Sequence, residues 1–540
     1  MKFLPLFIVF ILFFSATFLE AQESRMYRLY LKDKGNTPFS LSEPDDFLSR
    51  KSIERRKRQC LQTDSFDLPL DPIYLEAIAQ TGATIQTFSK WMKTVVVHLN
   101  DLDMLLLLEK LSFVDSLSCI WKGTLPEKKN SKDDVSFYSD FRQNTINSYG
   151  TGFTQIALNN GYLLHEAGFR GKGISIAVLD GGFINADKID YFDKDHLKEI
   201  KNFNHETNDM MRDGTDHGTR VLSCMLSDHS GELIGTAPEA DYYLFRTEVM
   251  NEEFPVEEDY WIAGLEYADS LGVDIVTSSL GYTKFDDSEM NHSWEQLDGK
   301  TIPISRAANL AASRGMLLFN SAGNDGDKSW EKICFPADAE NIITVGSVSK
   351  DSIRSSFSSW GYTADQRIKP DLMAMGSSVS VVESSGKIVQ SNGTSFSTPI
   401  MAGLAACLWE ALPDLDSFAM LRLLRETADR FQNPDSLTGY GIADVYKAYS
   451  QQKTGIQPIF ISPDAVYISV NPFDNRLYIN LLQMEQYNFC RVDIYTALGN
   501  RILMVSDLTD SIDISYLPKG IYIVSLRVGD KQWVRKFVKS

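Results

Sequence analysis

Four polar residues that could carry out nucleophilic catalysis lie in four separate short motifs. They are Asp180 in AVLDGG, His217 in DHGT, Asn324 in SAGN and Ser395 in GTSFSTP. A serine hydroxyl is a poor nucleophile near neutral pH and needs an adjacent base, such as a histidine. An aspartate can hold that imidazole in one tautomer, and an asparagine amide can donate to a developing oxyanion. The set predicts acyl transfer by an Asp-His-Ser triad with an Asn-assisted oxyanion hole.

The elements around these residues predict an α/β fold that would bring them together. Between residue 173 and about residue 447, nearly continuous apolar strands alternate with helices, which is typical of a doubly wound parallel sheet covered on both faces. The expected strands are ISIAVLD, DYYLFRTE, DIVTSSLG, MLLFNSAGN and IITVGSVS, and the expected helices span 256–271, 305–314, 397–412 and 418–428. Functional residues of such sheets gather at the carboxyl ends of the strands. We therefore expect the four polar residues to meet at that edge.

Length and composition predict a globular protein of about three domains. The chain has 540 residues, of which 43% are hydrophobic and 23% are charged, as in ordinary globular proteins. Lys and Arg total 53 against 72 Asp and Glu, for a formal net charge of −19. A chain this acidic is a poor candidate for binding nucleic acid. The six cysteines include no pair with zinc-site spacing.

The N-terminal part divides into three predicted segments. A lysine followed by an apolar run and a small residue predicts a signal peptide over residues 1–21. Residues 22–122 predict a small α+β unit, and the polar stretch 123–148 predicts an exposed linker that is open to cleavage. A basic run within the unit could be a processing or docking site, or a solvated helix face, which is the more common case. This run comprises Arg50, Lys51, Arg55, Arg56, Lys57 and Arg58.

The motifs resemble those of the subtilisin-like serine peptidases, the subtilases. The matching segments are AVLDGG, DHGTRVLS, SSLG, SAGN, GTSFSTP, and FSSWG followed by KPDL. They occur in the chain order Asp, His, Ser, which is the order of subtilisin. The resemblance covers roughly residues 149–450 and implies a peptidase domain at 149–454 with catalytic Asp180, His217 and Ser395 and with Asn324 in the oxyanion hole.

The same resemblance implies how a peptide would bind, and it has two departures. It implies that one segment pairs with the substrate backbone as a strand and that a second forms a wall of the pocket for the P1 side chain, the side chain that precedes the scissile bond. The segments are Ser279, Leu280 and Gly281, and Ser321, Ala322 and Gly323. Gly181-Gly182 stands where Thr or Ser followed by Gly is commoner, and Phe396-Ser397 also departs from many relatives.

The flanking regions acquire roles from resemblance as well. Secreted subtilases carry a small α+β propeptide that assists folding and inhibits the site, which implies this role for residues 22–148. Residues 455–540 predict a β-sandwich of short alternating strands. NPF, YTALGNRI and LPKGIYIV in this tail resemble the C-terminal sorting domain of the type IX secretion system. That resemblance implies partnership with the type IX machinery and a secreted or cell-surface location.

Metal binding and two other functional classes stay open. The chemistry requires no cofactor, but family members often bind structural calcium, and four crowded acids lack the EF-hand pattern. These acids are Asp187, Asp190, Asp193 and Asp195. Besides an endopeptidase acting on proteins or peptides, the alternatives are a catalytically silent surface protein on the same fold and another serine hydrolase. The absence of GxSxG around Ser395 argues against an α/β-hydrolase.

Overall fold

The computed structural model describes residues 24–123, 148–204, 209–453, 466–471, 476–481, 490–505, 511–528 and 531–539. The predicted signal peptide and nearly all of the predicted linker lie outside these ranges. The chain divides into two compact units, Met1–Gly455 and Ile456–Ser540.

The first unit begins with a four-stranded antiparallel sheet in the order β2-β3-β1-β4. Its elements are β1 (Arg25–Leu31), α1 (Arg50–Arg58), α2 (Pro72–Ala79), β2 (Thr84–Ser89), β3 (Thr94–Leu99), α3 (Asp103–Glu109) and β4 (Val114–Lys122). The alternation of TVVVHL explains how the sheet is buried. Val95 and Val97 pack with Leu29 and Ile78 in the sheet's own core, whereas Val96 packs into the core of the following α/β region.

The α/β region is built on a seven-stranded sheet in the order β15-β12-β11-β10-β5-β9-β6, in which every pair of neighbours is parallel. Its strands are β5 (Ser175–Asp180), β6 (Leu197–Asn202), β9 (Asp241–Arg246), β10 (Ile275–Ser278), β11 (Leu317–Ser321), β12 (Ile343–Val348) and β15 (Leu372–Met375). The side chains of β5 alternate between two cores: Ile176 and Val178 on one face, Ala177 and Leu179 on the other. This sheet confirms the predicted fold class.

Helices cover both faces of this sheet, and short hairpins complete the region. The helices are α4 (Phe153–Ala157), α5 (Gly161–Glu166), α6 (His217–Leu226), α7 (Val256–Leu271), α8 (Pro303–Ser313), α9 (Thr394–Ala411), α10 (Ser417–Glu426) and α11 (Val445–Lys453). The hairpins pair β7 (Asp228–His229) with β8 (Leu233–Ile234), β13 (Gly361–Tyr362) with β14 (Ile368–Lys369), and β16 (Val379–Val382) with β17 (Ile388–Ser391). In the described part of the chain, no helix is both long and apolar enough to cross a bilayer.

The second unit consists of two antiparallel sheets in the orders β18-β19-β22 and β21-β20-β23-β24. The strands are β18 (Val466–Asn471), β19 (Arg476–Leu481), β20 (Cys490–Thr496), β21 (Arg501–Val505), β22 (Ser511–Asp513), β23 (Gly520–Val528) and β24 (Lys531–Lys539). Leu477 and Ile512 of one sheet share a core with Val492 and Val524 of the other. Two sheets packed face to face around one core form the predicted sandwich.

The basic run on α1 is divided between the two interpretations: Arg50, Lys57 and Arg58 are exposed, as on a solvated helix face, whereas Arg55 and Arg56 dock onto the following region. Arg55 and Arg56 are buried, and both guanidinium groups bind the carboxylate of Asp269 on α7. Arg56 also donates to Asp67 across 2.8 Å. The partner carboxylate lies more than two hundred residues further along the chain, and hence no local pattern indicated it.

Candidate active site

Asp180 and His217 are in contact at the carboxyl edge of the sheet. Asp180 ends β5 and is fully buried, and His217 is the first residue of α6. The imidazole Nδ1 lies 2.8 Å from Asp180 Oδ1, which also accepts the Gly181 N–H at 2.8 Å. A carboxylate only accepts hydrogen bonds, so Nδ1 carries the proton and Nε2 is left as the basic nitrogen.

The glycines of the two motifs permit this contact. A Cβ atom on Gly182 would lie 2.7 Å from both the backbone nitrogen and the backbone oxygen of Thr215. A Cβ atom on Gly218 would lie 2.5 Å from the Gly182 oxygen. Both distances are shorter than any Cβ contact tolerates, so the close approach of the two loops requires glycine at both positions.

Ser395 is the second residue of the eighteen-residue helix α9. Its backbone oxygen accepts a hydrogen bond from the Ser279 hydroxyl at 2.8 Å. The next residue, Phe396, lies against the His217 ring with a centroid distance of 5.9 Å. The structure therefore brings the N-terminal end of α9 to the histidine, and the Ser395 N–H belongs to the first turn, whose donors have no partner within the helix.

Asn324 is oriented by the residue that precedes the serine. Its Oδ1 accepts both the Thr394 N–H at 2.9 Å and the Thr394 hydroxyl at 3.0 Å. Because Oδ1 is engaged, the Nδ2 end of the amide is turned away, and it lies 3.5 Å from the position of a Cβ atom on Gly393. The Thr394 hydroxyl also accepts the Gly323 N–H at 3.2 Å, so a single threonine holds Asn324 and the adjoining glycine.

The two predicted substrate-binding segments are neighbours. Ser279–Gly281 follows β10. Ser321 ends β11, Ala322 and Gly323 follow it, and β11 pairs with β10 in parallel. Asn320 Nδ2 donates to the Leu280 oxygen at 3.1 Å, which ties the segments together. Ser279, Ser321 and Ala322 are buried, Leu280 is half-buried and Gly281 is exposed.

Three residues that the motifs did not indicate, Glu248, Tyr282 and Cys334, also lie at this edge. Glu248 accepts a hydrogen bond from Tyr282 at 2.5 Å, and burial raises the pKa of Glu248 to about 7. Burial also raises the pKa of the Cys334 thiol to about 12. Glu248 is the last residue of the predicted strand DYYLFRTE and lies two residues beyond the observed end of β9, whereas Cys334 lies in no motif and no local signal indicated it.

Two of the four crowded acids have structural partners for their carboxylates. Asp187 forms an ion pair with Arg212 at 2.7 Å, and Asp193 accepts the Asp195 N–H at 3.0 Å. Among the residues that the structure describes, no three His, Cys, Asp or Glu side chains are grouped as metal ligands. Cys224 and Cys407 are buried, and burial raises the pKa of both thiols.

Family models match all three regions of the chain. A model of the Subtilase family matches residues 171–441, half of the chain. A model described as "Peptidase S8 propeptide domain, Bacteroidota" matches residues 26–135, and one described as "Secretion system C-terminal sorting domain" matches residues 470–540. The chain thus belongs to the subtilase family of serine-type endopeptidases, which confirms the resemblance drawn from its motifs.

Individual relatives agree with this membership. Serine protease AprX from Bacillus subtilis is 29% identical over 298 residues, which cover 49% of this chain and 63% of AprX. Subtilisin E from the same species is 28% identical over 287 residues, which cover 53% of this chain and 68% of subtilisin E. The crystal structure of the epidermin leader peptide processing serine protease from Staphylococcus aureus shares the fold. The comparison of the two structures gives a TM-score of 0.56 at 17% sequence identity, and it covers 79% of this chain and 99% of the Staphylococcus aureus protein.

Proposed function

We propose that this chain is a secreted serine endopeptidase that hydrolyses peptide bonds in proteins through Asp180, His217 and Ser395. The observation that carries the proposal is the 2.8 Å contact between His217 Nδ1 and Asp180 at the edge to which α9 brings Ser395. A buried carboxylate paired with an imidazole that is 20% exposed, beside a helix-terminal serine, is the arrangement that activates a serine hydroxyl.

In the proposed reaction, His217 Nε2 takes the proton of the Ser395 hydroxyl as the oxygen attacks the substrate carbonyl carbon. Asp180 keeps the imidazole in the required tautomer and stabilises the imidazolium that forms. When the tetrahedral intermediate collapses, the imidazolium returns its proton to the leaving amine and an acyl-enzyme remains. Water then attacks the ester by the same steps and regenerates Ser395.

The oxyanion of each tetrahedral intermediate needs donors that are already in position. We assign this role to the Asn324 amide and the Ser395 N–H. Thr394 supports the assignment because its two hydrogen bonds to Asn324 Oδ1 leave Nδ2 as the outward end of the amide. The N-terminal end of α9 adds a favourable field for the negative charge.

We further propose that an extended peptide adds as a strand along Ser279–Gly281 and that its P1 side chain rests against Ser321–Gly323. The exposed backbone at Gly281 supports this placement. None of these steps uses a cofactor, and structural calcium stays unassigned. The N-terminal part would inhibit the site until the chain is cut, and the tail would engage the type IX secretion machinery. The product would be released or held at the cell surface.

The test is covalent labelling of the secreted protein with a sulfonyl fluoride, read by intact mass and by casein cleavage. A single adduct, together with loss of cleavage, is expected for the wild-type chain. Ser395→Ala should form no adduct and cleave no casein. The Ser279 hydroxyl donates to the backbone oxygen of Ser395, so Ser279→Ala removes a neighbouring hydroxyl but keeps the nucleophile, and this variant should still form the adduct.

A fully processed wild-type chain that neither labels nor cleaves would overturn the proposal in favour of a catalytically silent surface protein. Cleavage by Ser395→Ala at the wild-type rate would overturn the assignment of the nucleophile.

A further inference from the structure

The space between the two substrate-binding segments contains a side chain from elsewhere in the chain. Cys334 follows β11 by a loop, and its Sγ atom lies 2.0 Å from the position that a Cβ atom on Gly281 would take. The same atom lies 3.3 Å from the position of a Cβ atom on Gly323. One sulfur atom therefore lies in or against the space that a side chain would take at a glycine of each segment.

Backbone hydrogen bonds fix Cys334 in this place. Its N–H donates to the Ala322 oxygen at 3.2 Å, and its thiol lies 3.6 Å from the same oxygen and 3.8 Å from the Ser321 oxygen. The following residue, Phe335, exchanges two backbone hydrogen bonds with Tyr282 at 3.0 and 3.2 Å. The backbone of Cys334 is thus hydrogen-bonded to the segment that contains Ala322, and the backbone of its neighbour Phe335 is hydrogen-bonded to the residue after Gly281. The backbone of Cys334 therefore has little freedom to move.

The chemistry of the thiol argues for a steric role. Cys334 is buried, and desolvation raises its pKa, which leaves the sulfur as a neutral, weakly polar atom at neutral pH. A neutral thiol offers a P1 side chain neither a charge nor a strong hydrogen bond. The sulfur instead occupies volume that Gly281 and Gly323 would leave free for a substrate side chain.

We propose that Cys334 closes the P1 pocket, so that the peptidase cleaves after small residues such as Ala, Ser and Gly and rejects aromatic and long aliphatic ones. This inference rests on the proposed function. We expect a methyl group to stop short of the sulfur, whereas a benzyl or isobutyl group would have to pass between Gly281 and Gly323, where the sulfur lies. Removing the Cys334 side chain should open that space.

The experiment compares two succinyl tetrapeptide p-nitroanilides, Ala-Ala-Pro-Ala and Ala-Ala-Pro-Phe, on the full chain after processing. Enzyme concentration is set by titration with a fluorophosphonate. We expect wild-type kcat/KM to be at least about tenfold higher for Ala than for Phe, since each unaccommodated methylene is worth about 10–200-fold. Cys334→Gly should raise kcat/KM for Phe by at least about tenfold and change that for Ala much less.

Two further variants make the result decisive. Cys334→Ala removes only the sulfur and should shift the ratio of the two kcat/KM values in the same direction. It provides the test if the glycine variant does not fold. Cys407→Ala removes a buried thiol from α9 at a site remote from the two segments and should leave the ratio of the two substrates unchanged.

Each outcome separates the inference from the proposed function. A wild-type preference for Phe, or an unchanged ratio in Cys334 variants that still react with the fluorophosphonate, would overturn the inference and leave the peptidase standing. Hydrolysis of neither peptide and no fluorophosphonate adduct on a processed chain would overturn the proposed function and this inference with it.

Discussion

Glu248 should make the stability of the protein depend on pH. Its side chain lies beside the end of β5: the Tyr282 hydroxyl donates to Glu248 Oε1 at 2.5 Å, and Glu248 Cβ lies 3.6 Å from the position of a Cβ atom on Gly181. Burial is the main reason that its pKa is raised to about 7. The hydrogen bond from Tyr282 lowers the pKa, the charge of Asp180 raises it, and the charge of His217 lowers it.

The sign and size of the effect follow from this pKa. Because the folded state holds the proton more tightly than the unfolded chain, Glu248 stabilises the fold below pH 4.5 and that stabilisation is lost as pH rises through 7. A rise from 4.5 to about 7 corresponds to about 3 kcal/mol at about 1.36 kcal/mol per unit of pKa. Glu248→Gln removes the charge but keeps an oxygen that can accept the Tyr282 hydrogen bond. The free energy of unfolding of the variant should therefore exceed that of the wild type by no more than about 1 kcal/mol at pH 5 and by up to about 3 kcal/mol at pH 9.

The assay is urea unfolding between pH 5 and pH 9, with Ser395→Ala as the common background so that proteolysis does not interfere. The acid Glu257 lies in the same region, and its buried carboxyl accepts the N–H groups of Val249 and Phe254. Burial raises its pKa as well, and the charges of Glu248 and Glu253 add to that rise.

Glu257 also contributes to the pH dependence of the free energy of unfolding. The free energies of the variant and of its background must therefore be compared with each other at each pH. Glu340→Gln changes an exposed carboxyl and should show no pH-dependent gain. A gain of equal size at pH 5 and pH 9, or none at pH 9, would refute the reasoning that the buried charge of Glu248 is the cause.

Two further substitutions test the site and the N-terminal part. Asn324→Ala should lower kcat by about 10²–10³-fold with little change in KM or melting temperature, measured on a peptide anilide; a kcat within threefold of the wild type would contradict its role as an oxyanion donor. Asp269→Asn breaks the buried ion pairs with Arg55 and Arg56, and loss of one partner of such a pair costs about 3–5 kcal/mol. After processing, less of the N-terminal part should co-elute with the remainder in gel filtration, and undiminished co-elution would show that these pairs do not hold it.

The sheet and the approach of the four polar residues could be predicted because the signals are local. ISIAVLD is a continuous apolar run that ends in an acid, and the structure has β5 over Ser175–Asp180. The helix expected over 256–271 is observed as Val256–Leu271. Strands β6 and β15 were not predicted. LKEIKN in β6 carries three charged residues among its six on an edge strand, and β15 spans only four residues.

The residues that shape the site from further away could not be predicted in this way. Cys334 lies between two glycine-containing segments only because the loop after β11 returns to pair with Tyr282. Glu248 lies near the end of β5 because β9 is the neighbour of β5 in the sheet and ends beside Asp180. Both contacts depend on the order of strands in the sheet, which alternation of apolar residues does not encode.

The contacts of α7 explain how the N-terminal part can be placed accurately and still be separable. Asp259 on this helix binds Arg28 at 2.6 Å, Glu266 accepts the Trp91 N–H at 3.0 Å, and Asp269 binds the arginines of α1. Each of these carboxylates is buried and binds a partner from the N-terminal part, so the desolvation cost of the charges offsets most of their attraction. Such pairs fix orientation more than they add net stability, and every charge regains water when the parts separate. The apolar contact of Val96 with the same region has no such compensation, and hence it is the buried ion pairs that suit a segment that is proposed to be cut off and released.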